Sequence, residues 1–213
     1  MEIKVLGISG SPHRHGNTET LLDSFLEGSH ASGATVEKVV LKTLQYSPCR
    51  GCNACHKNGT CIVNDDAIIL YEKILASDSL AVASPIYTMG ITAELKGFID
   101  RQQYLWARKF ILKTLYFSDD HIKRHKGFFI STAGLGWENV FDGAFPVITA
   151  LFNTTGFEYY DNVIANNMDA YGGINKHPTA LKEAFEKGQT VVRVLEKLNA
   201  KIPEGSVSVA SLK

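Results

Sequence analysis

Short apolar runs alternate along this chain with longer stretches whose apolar residues recur at the three- and four-residue spacing of an amphipathic helix. The runs predict strands over Ile3–Ser9, Thr35–Leu41, Ser79–Ser84, Lys126–Thr132 and Phe157–Ala165. The helical spacing predicts helices over Thr18–His30, Asp66–Ala76, Ile91–Trp106, Glu138–Gly156 and His177–Ala200. Strand and helix take turns, which implies right-handed crossovers and a parallel sheet covered by helices on both faces.

Five strands in this arrangement predict an α/β, doubly wound sheet of the flavodoxin-like order 2-1-3-4-5. A ligand then sits at the carboxyl ends of the strands, beside strand 1, where the winding reverses. Three predicted loops converge there: Ser9–Thr18, Pro85–Gly90 and Thr132–Glu138. A cysteine-rich loop, 45–66, follows strand 2 on the same edge of the sheet.

Composition narrows the classes. At 213 residues and 45% hydrophobic content the chain can bury one good core, and no linker-like stretch divides it, so 1–213 reads as a single domain with a loosely packed tail at 202–213. Lys plus Arg and Asp plus Glu both number 22, and no basic stripe interleaved with aromatics stands out, which argues against a nucleic-acid partner. No apolar run approaches the roughly 20 residues that span a bilayer, so no membrane role is expected. The chain opens directly on an apolar strand, Ile3-Lys4-Val5-Leu6-Gly7-Ile8, with no signal-peptide pattern before it. The expectation is a cytoplasmic protein with reduced thiols.

The first loop, Ser9-Gly10-Ser11-Pro12-His13-Arg14-His15-Gly16-Asn17-Thr18, joins a buried strand to an amphipathic helix. A helix start offers backbone amides and the positive end of a dipole, and the hydroxyls of Ser9, Ser11 and Thr18 can donate to phosphate oxygens. Asn17 or Thr18 could merely cap the helix, but capping leaves two glycines, three hydroxyl residues and Arg14 in one turn without a reason. The loop is neither G-x-G-x-x-G nor G-x-x-x-x-G-K-[ST], so a single terminal phosphate fits it better than a dinucleotide or a magnesium nucleotide.

All four cysteines, Cys49, Cys52, Cys55 and Cys61, lie in one C-x2-C-x2-C-x5-C run. Closely spaced soft thiolates are what a four-iron cluster requires, and one cluster would use every cysteine in the chain. Structural zinc more often takes two separated C-x2-C knuckles, and zinc and redox-active free thiols stay open as alternatives.

Three stretches together resemble the flavodoxin-like NAD(P)H-dependent FMN reductases: Gly10-Ser11-Pro12 to Gly16-Asn17-Thr18, then Ser84-Pro85-Ile86-Tyr87 running into Ala93–Arg101, then Ser131-Thr132-Ala133-Gly134. With the cysteine run between the first two, the chain is similar to the iron-sulfur flavoprotein branch. The resemblance implies FMN, its phosphate on Ser9, Ser11, Arg14, Asn17 and Thr18, its ring edge on Pro85, Ile86, Tyr87, Thr88 and Met89 and on Thr132, Ala133, Gly134 and Gly136. It also implies a [4Fe-4S] cluster on the four cysteines, with NAD(P)H as a candidate electron donor. Members often read Ser-Pro-Arg where this chain has Ser11-Pro12-His13, with the arginine displaced to Arg14.

Flavin and cluster together would convert between hydride and single-electron chemistry, with small-molecule or ferredoxin-type donors and acceptors and no side chain required as acid or base. The alternatives are an NAD(P)H-dependent flavin or quinone reductase without a cluster, and a zinc- or flavin-stabilised binding module. Ring and cluster loops lie on opposite sides of strand 1, so a homodimer or homotetramer is expected to bring them together across subunits.

Other candidates have structural explanations. Tyr87, Tyr104, Trp106 and Trp137 could stack on a flavin, Tyr87 being the best placed. Asp65 and Asp66 precede an apolar helical run and read as caps. Asp100-Arg101 reads as a solvated helix end or an inter-subunit contact. His56 reads as exposed or as an outer neighbour of the cysteines, and His121, His125 and His177 show no metal spacing.

Overall fold

The computed structural model describes residues 2–200. The expected tail at 202–213 lies outside the described residues. Five parallel strands, β1 (Lys4–Ser9), β2 (Thr35–Val40), β3 (Ser79–Pro85), β4 (Lys126–Thr132) and β5 (Glu158–Ala165), form one sheet in the order β2-β1-β3-β4-β5. This is the flavodoxin-like order expected from the alternation of runs.

Period-two geometry sorts the strand residues onto two cores. Leu6 and Ile8 of β1, Leu80 and Val82 of β3 and Phe129 of β4 join one cluster, which includes residues of helices α2 (Asp66–Leu75), α3 (Ala93–Asp100) and α4 (Phe145–Thr155). Val5, Ala81, Ala83, Phe128 and Ile130 join the other, beneath α1 (Asn17–Ala31) and α5 (Ala180–Asn199). The central β3 and β4 are buried almost throughout, while edge strand β2 alternates exposed and half-buried residues. Helices α1 and α5 meet backbone to backbone. A Cβ on Gly28 would stand 2.0 Å from Phe185 O, and one on Gly188 would stand 2.0 Å from Phe25 O, so any side chain at either position separates the pair.

The helices differ from expectation at their ends. The helix expected over 91–106 stops at Asp100, and the chain resumes in a short turn, Gln103–Trp106. It then widens over Ala107–Ile111, where Leu112 N–H reaches back five residues to Ala107 O at 2.9 Å. The helix expected from Glu138 begins only at Phe145, with Pro146 in its first turn, where a missing N–H does no harm. Helix α5 begins at Ala180 rather than His177, and His177 Nδ1 accepts the amides of Thr179 (3.3 Å) and Ala180 (3.0 Å). Short helical turns at Asp119–Lys123, Met168–Tyr171 and Ile174–Lys176 complete the loops. Among the described residues no helix is long and apolar enough to cross a membrane.

Candidate functional site

A cleft of about 690 Å³ opens at the carboxyl ends of β1, β3 and β4, where the strand order predicts a ligand. Helix α1 points its amino end into it. Gly16 is the N-cap and no side chain bonds the first-turn amides, so they are free for an anion. Ser11, Asn17 and Thr18 line the cleft here. Thr18 Oγ1 lies 2.5 Å from Thr132 Oγ1, which joins the phosphate loop to the loop after β4. Asn17 Oδ1 accepts Ile174 N–H at 3.0 Å, leaving its NH2 group as the donor that remains.

The loop between β1 and α1 is held from beneath by Glu19, a carboxylate with no solvent exposure. It accepts Arg14 Nε (3.2 Å), Lys38 Nζ (3.0 Å) and the His15 amide (3.0 Å). Burial alone would raise the Glu19 pKa, but the Lys38 hydrogen bond, the His15 amide and the Lys38 and Arg14 charges outweigh it and hold the group below its ordinary value. Arg14 is therefore engaged by Glu19 and does not line the cleft, whereas His13 does. Ser9 is fully buried at the end of β1, its Oγ has no partner, and it lies behind the cleft wall rather than in it.

Pro85, Ile86, Tyr87, Thr88 and Met89 form the opposite wall. Tyr87 and Gly90 exchange both backbone hydrogen bonds, at 2.9 and 3.1 Å, across a turn in which Thr88 (φ 48°) and Met89 (φ 62°) are left-handed. Two consecutive non-glycine residues in that region are costly, and such strain concentrates at ligand-binding turns. Thr132, Ala133 and Gly134 form the floor with Leu135, Trp137 and Val140, while Gly136 does not line it. Met168 and Asp169 close one end. A Cβ on Gly134 would stand 2.6 Å from Asp169 Oδ2, so a side chain there would push the Asp169 carboxylate aside. Met168 and Asp169 escape sequence reading because they stand in a four-residue turn with no periodicity. The only signal was the turn chemistry around them, Asn166-Asn167 before and Gly172-Gly173 after.

The apolar walls and the uncapped helix start suit a flat ring ending in a phosphate, which is the shape of FMN. Among the described residues no Lys or Arg lines the cleft, so a phosphate there meets amides, hydroxyls and His13. Tyr87 and Trp137, 45% and 57% exposed, stand at the opening. Tyr104 and Trp106 do not: Tyr104 packs edge-on against Tyr71, and Trp106 lies beside His56 and Phe110.

The four cysteines surround a second, narrow cleft. The backbone bends through left-handed Gly51 and Asn53, then closes a short helical turn, Cys55–Asn58, at Gly59 (φ 74°). Cys55 is buried, Cys49 and Cys61 are half-buried and Cys52 is exposed, all as free thiols. Burial raises the Cys55 pKa, and the proximity of Cys49, Cys61 and Cys52 raises it further. Four soft sulfur donors around one cleft fit an iron-sulfur cluster in kind. Among the described residues no three His, Cys, Asp or Glu side chains are gathered closely enough to hold a single metal ion.

Asp65 caps α2 through the Ala67 amide at 3.2 Å, as its position before an apolar run predicts. Arg101 departs from expectation. Asp100 is exposed and pairs with Lys96 at 2.6 Å, but Arg101 is only 2% exposed and enters the cysteine loop, where it pairs with Asp65 at 2.6 Å. A charge late in an amphipathic helix ordinarily faces water. This one keeps a helical backbone and follows buried Gly97 and Phe98 at four- and three-residue spacing, so it extends the inner face of α3. His56 is half-buried, with Nε2 3.4 Å from Gln103 Nε2.

A family pattern described as NADPH-dependent FMN reductase matches residues 3–137. The chain belongs to this family. It is 35% identical over 111 residues to an iron-sulfur flavoprotein of Methanosarcina thermophila, covering 52% of this chain and 58% of that one. It is 39% identical over 99 residues to an iron-sulfur flavoprotein of Archaeoglobus fulgidus, covering 46% and 45%. The match thus spans about half the length of these curated relatives. Among solved structures, a flavone reductase superposes with a TM-score of 0.66 at 20% identity, over 92% of this chain and 64% of the other, a likeness of fold. Membership of the FMN reductase family supports FMN as a ligand of this chain.

Proposed function

We propose that this protein is an FMN-dependent oxidoreductase that passes electrons between a reduced donor, FMN and a [4Fe-4S] cluster held by Cys49, Cys52, Cys55 and Cys61. The observation that carries the reading is that one chain of the FMN reductase family presents two clefts, one at an uncapped helix start and one lined by every cysteine it has. The relatives named iron-sulfur flavoprotein support the cluster half of it.

When bound, FMN takes up a hydride or single electrons and a cluster takes one electron at a time, so the pair couples two-electron donors such as NAD(P)H to one-electron carriers of the ferredoxin type. The chain's own residues bind and orient. Ser11, Asn17, Thr18 and the first-turn amides of α1 hold the phosphate, and Glu19 fixes the loop that presents them. The Pro85–Gly90 turn and the loop after β4 enclose the ring and exclude water from one face. The four cysteines supply the thiolates. Exposed aromatics beside the FMN cleft, Tyr87 and Trp137, and beyond the cysteine loop, Phe110 and Tyr116, give a second copy of the chain an apolar surface to cover. A homo-oligomer in which cluster and flavin of different subunits approach is part of the proposal.

Replacing one ligand tests the cluster without disturbing the flavin. Serine is a harder and less acidic ligand than cysteine. Anaerobically purified Cys55→Ser protein is expected to lose its iron and its low-temperature paramagnetic signal on reduction while keeping FMN. Zinc without iron in the parent protein, or full iron in the variant, contradicts the cluster assignment.

A further inference from the structure

Resting on the cluster reading above, we propose that Arg101 is the fixed counter-charge of the iron-sulfur cluster and sets its reduction potential. The side chain is 1% exposed, an expensive place for a guanidinium unless its charge is answered. A guanidinium has five N–H donors. Nη1 donates to Ser47 O at 2.8 Å and to Asp65 Oδ2 at 2.6 Å. Nη2 donates to Val63 O at 2.8 Å and points at Cys61 Sγ, 3.5 Å away. Nε is buried and has no partner among the described residues. Every side-chain partner of Arg101 is thus in the segment that carries the cysteines, one of them is a cysteine sulfur, and the fifth donor is uncommitted. Arg101 itself lines the cysteine cleft.

A tether for the loop would need the carbonyls and Asp65. It would not need a sulfur contact or a buried donor left without an acceptor. A cluster seated on four thiolates is anionic and presents inorganic sulfides as acceptors, so it answers both features. Reduction adds one electron, taken from the reduced flavin of the proposed activity, with no bond made or broken. The added negative charge is stabilised by a buried cation more than the oxidised cluster is, so Arg101 raises the potential. Arg101 acts through the sulfurs and is a positioning residue, not a catalytic one.

The test is an electron paramagnetic resonance redox titration of anaerobically purified parent protein and of the Arg101→Gln, Arg101→Lys and Asp65→Asn variants, with iron and sulfide counted in each. Arg101→Gln with full iron is expected to shift the one-electron equilibrium at least about tenfold toward the oxidised cluster, a midpoint about 59 mV or more lower. Arg101→Lys, which keeps a charge but loses the fork, is expected to shift less in the same direction. Asp65→Asn breaks the same ion pair but keeps the guanidinium, and is expected to leave the midpoint unchanged or raise it. An unchanged midpoint in Arg101→Gln, an equal fall in Asp65→Asn, or loss of iron from both Arg101 variants would reduce Arg101 to a loop scaffold and overturn the inference. A parent protein without iron would instead remove the cluster reading on which it rests.

Discussion

At the scale of single residues, the cradle proposed for the FMN phosphate is built from dipoles rather than cations. Ser11, Asn17 and Thr18 line the cleft, while Arg14, the nearest arginine in sequence, is drawn to the buried carboxylate of Glu19. The Thr18 hydroxyl occupies the junction of two loops through Thr132, so its removal costs both a donor and a contact. Hydrogen bonds to a charged group contribute about 1.5–3 kcal/mol, so Thr18→Ala is expected to weaken FMN about tenfold or more and to leave riboflavin binding nearly unchanged. Flavin fluorescence titration measures both, and an unchanged FMN affinity would contradict the phosphate assignment. The hydroxyl and glycine content of this loop was readable in sequence because each residue type has a local backbone role. The fate of Arg14 was not, since its partner Lys38–Glu19 network joins β2 to α1 across sequence. Spacing puts Arg101 on the inner face of α3, three and four residues after buried Phe98 and Gly97, but Asp65 and the cysteine loop that answer its charge lie far off in sequence.

Elements were legible where pattern and burial agree. The strands follow the predicted runs to within a residue at each end, and the central β1, β3 and β4 do so because parallel strands covered on both faces require continuous apolar sequence. The helix ends and the short turns depended on caps such as His177 Nδ1 accepting the amides that open α5, which apolar spacing does not encode. One short element carries a prediction of its own. In the turn Asp119–Lys123, His121 stacks on His125 at 3.7 Å and lies 4.8 Å from Phe117. Burial first, then the charges of His125 and Arg124, pushes the His121 pKa down to about 4 from an ordinary 6.5, and burial lowers that of His125 as well. A folded-state value below the unfolded one means that the unfolded chain binds protons first. Stability is then present above the unfolded value near 6.5 and declines as pH falls toward about 4. Melting temperature measured across that window is expected to fall with acid, and to fall less in His121→Phe. Identical profiles for the two proteins would remove the pair as the cause.

For the whole molecule, strand order alone located the cleft proposed for FMN, because reversal of winding beside β1 opens a crevice whatever the side chains are. The cysteine cleft was legible from spacing. What holds it against the body of the protein was not, since Arg101 and Tyr104 reach it from beyond α3. The two clefts share no lining residue, and bulky apolar groups stay exposed, Tyr116 at 71% among them. Sedimentation is expected to give a dimer or larger at micromolar concentration, and an active monomer would contradict transfer between subunits. The central claim is that one chain carries both redox groups. Counting FMN, iron and acid-labile sulfide per chain in anaerobically purified protein tests it most directly. The account predicts about one FMN with about four irons and four sulfides per chain; FMN with no iron or sulfide after anaerobic reconstitution would contradict it.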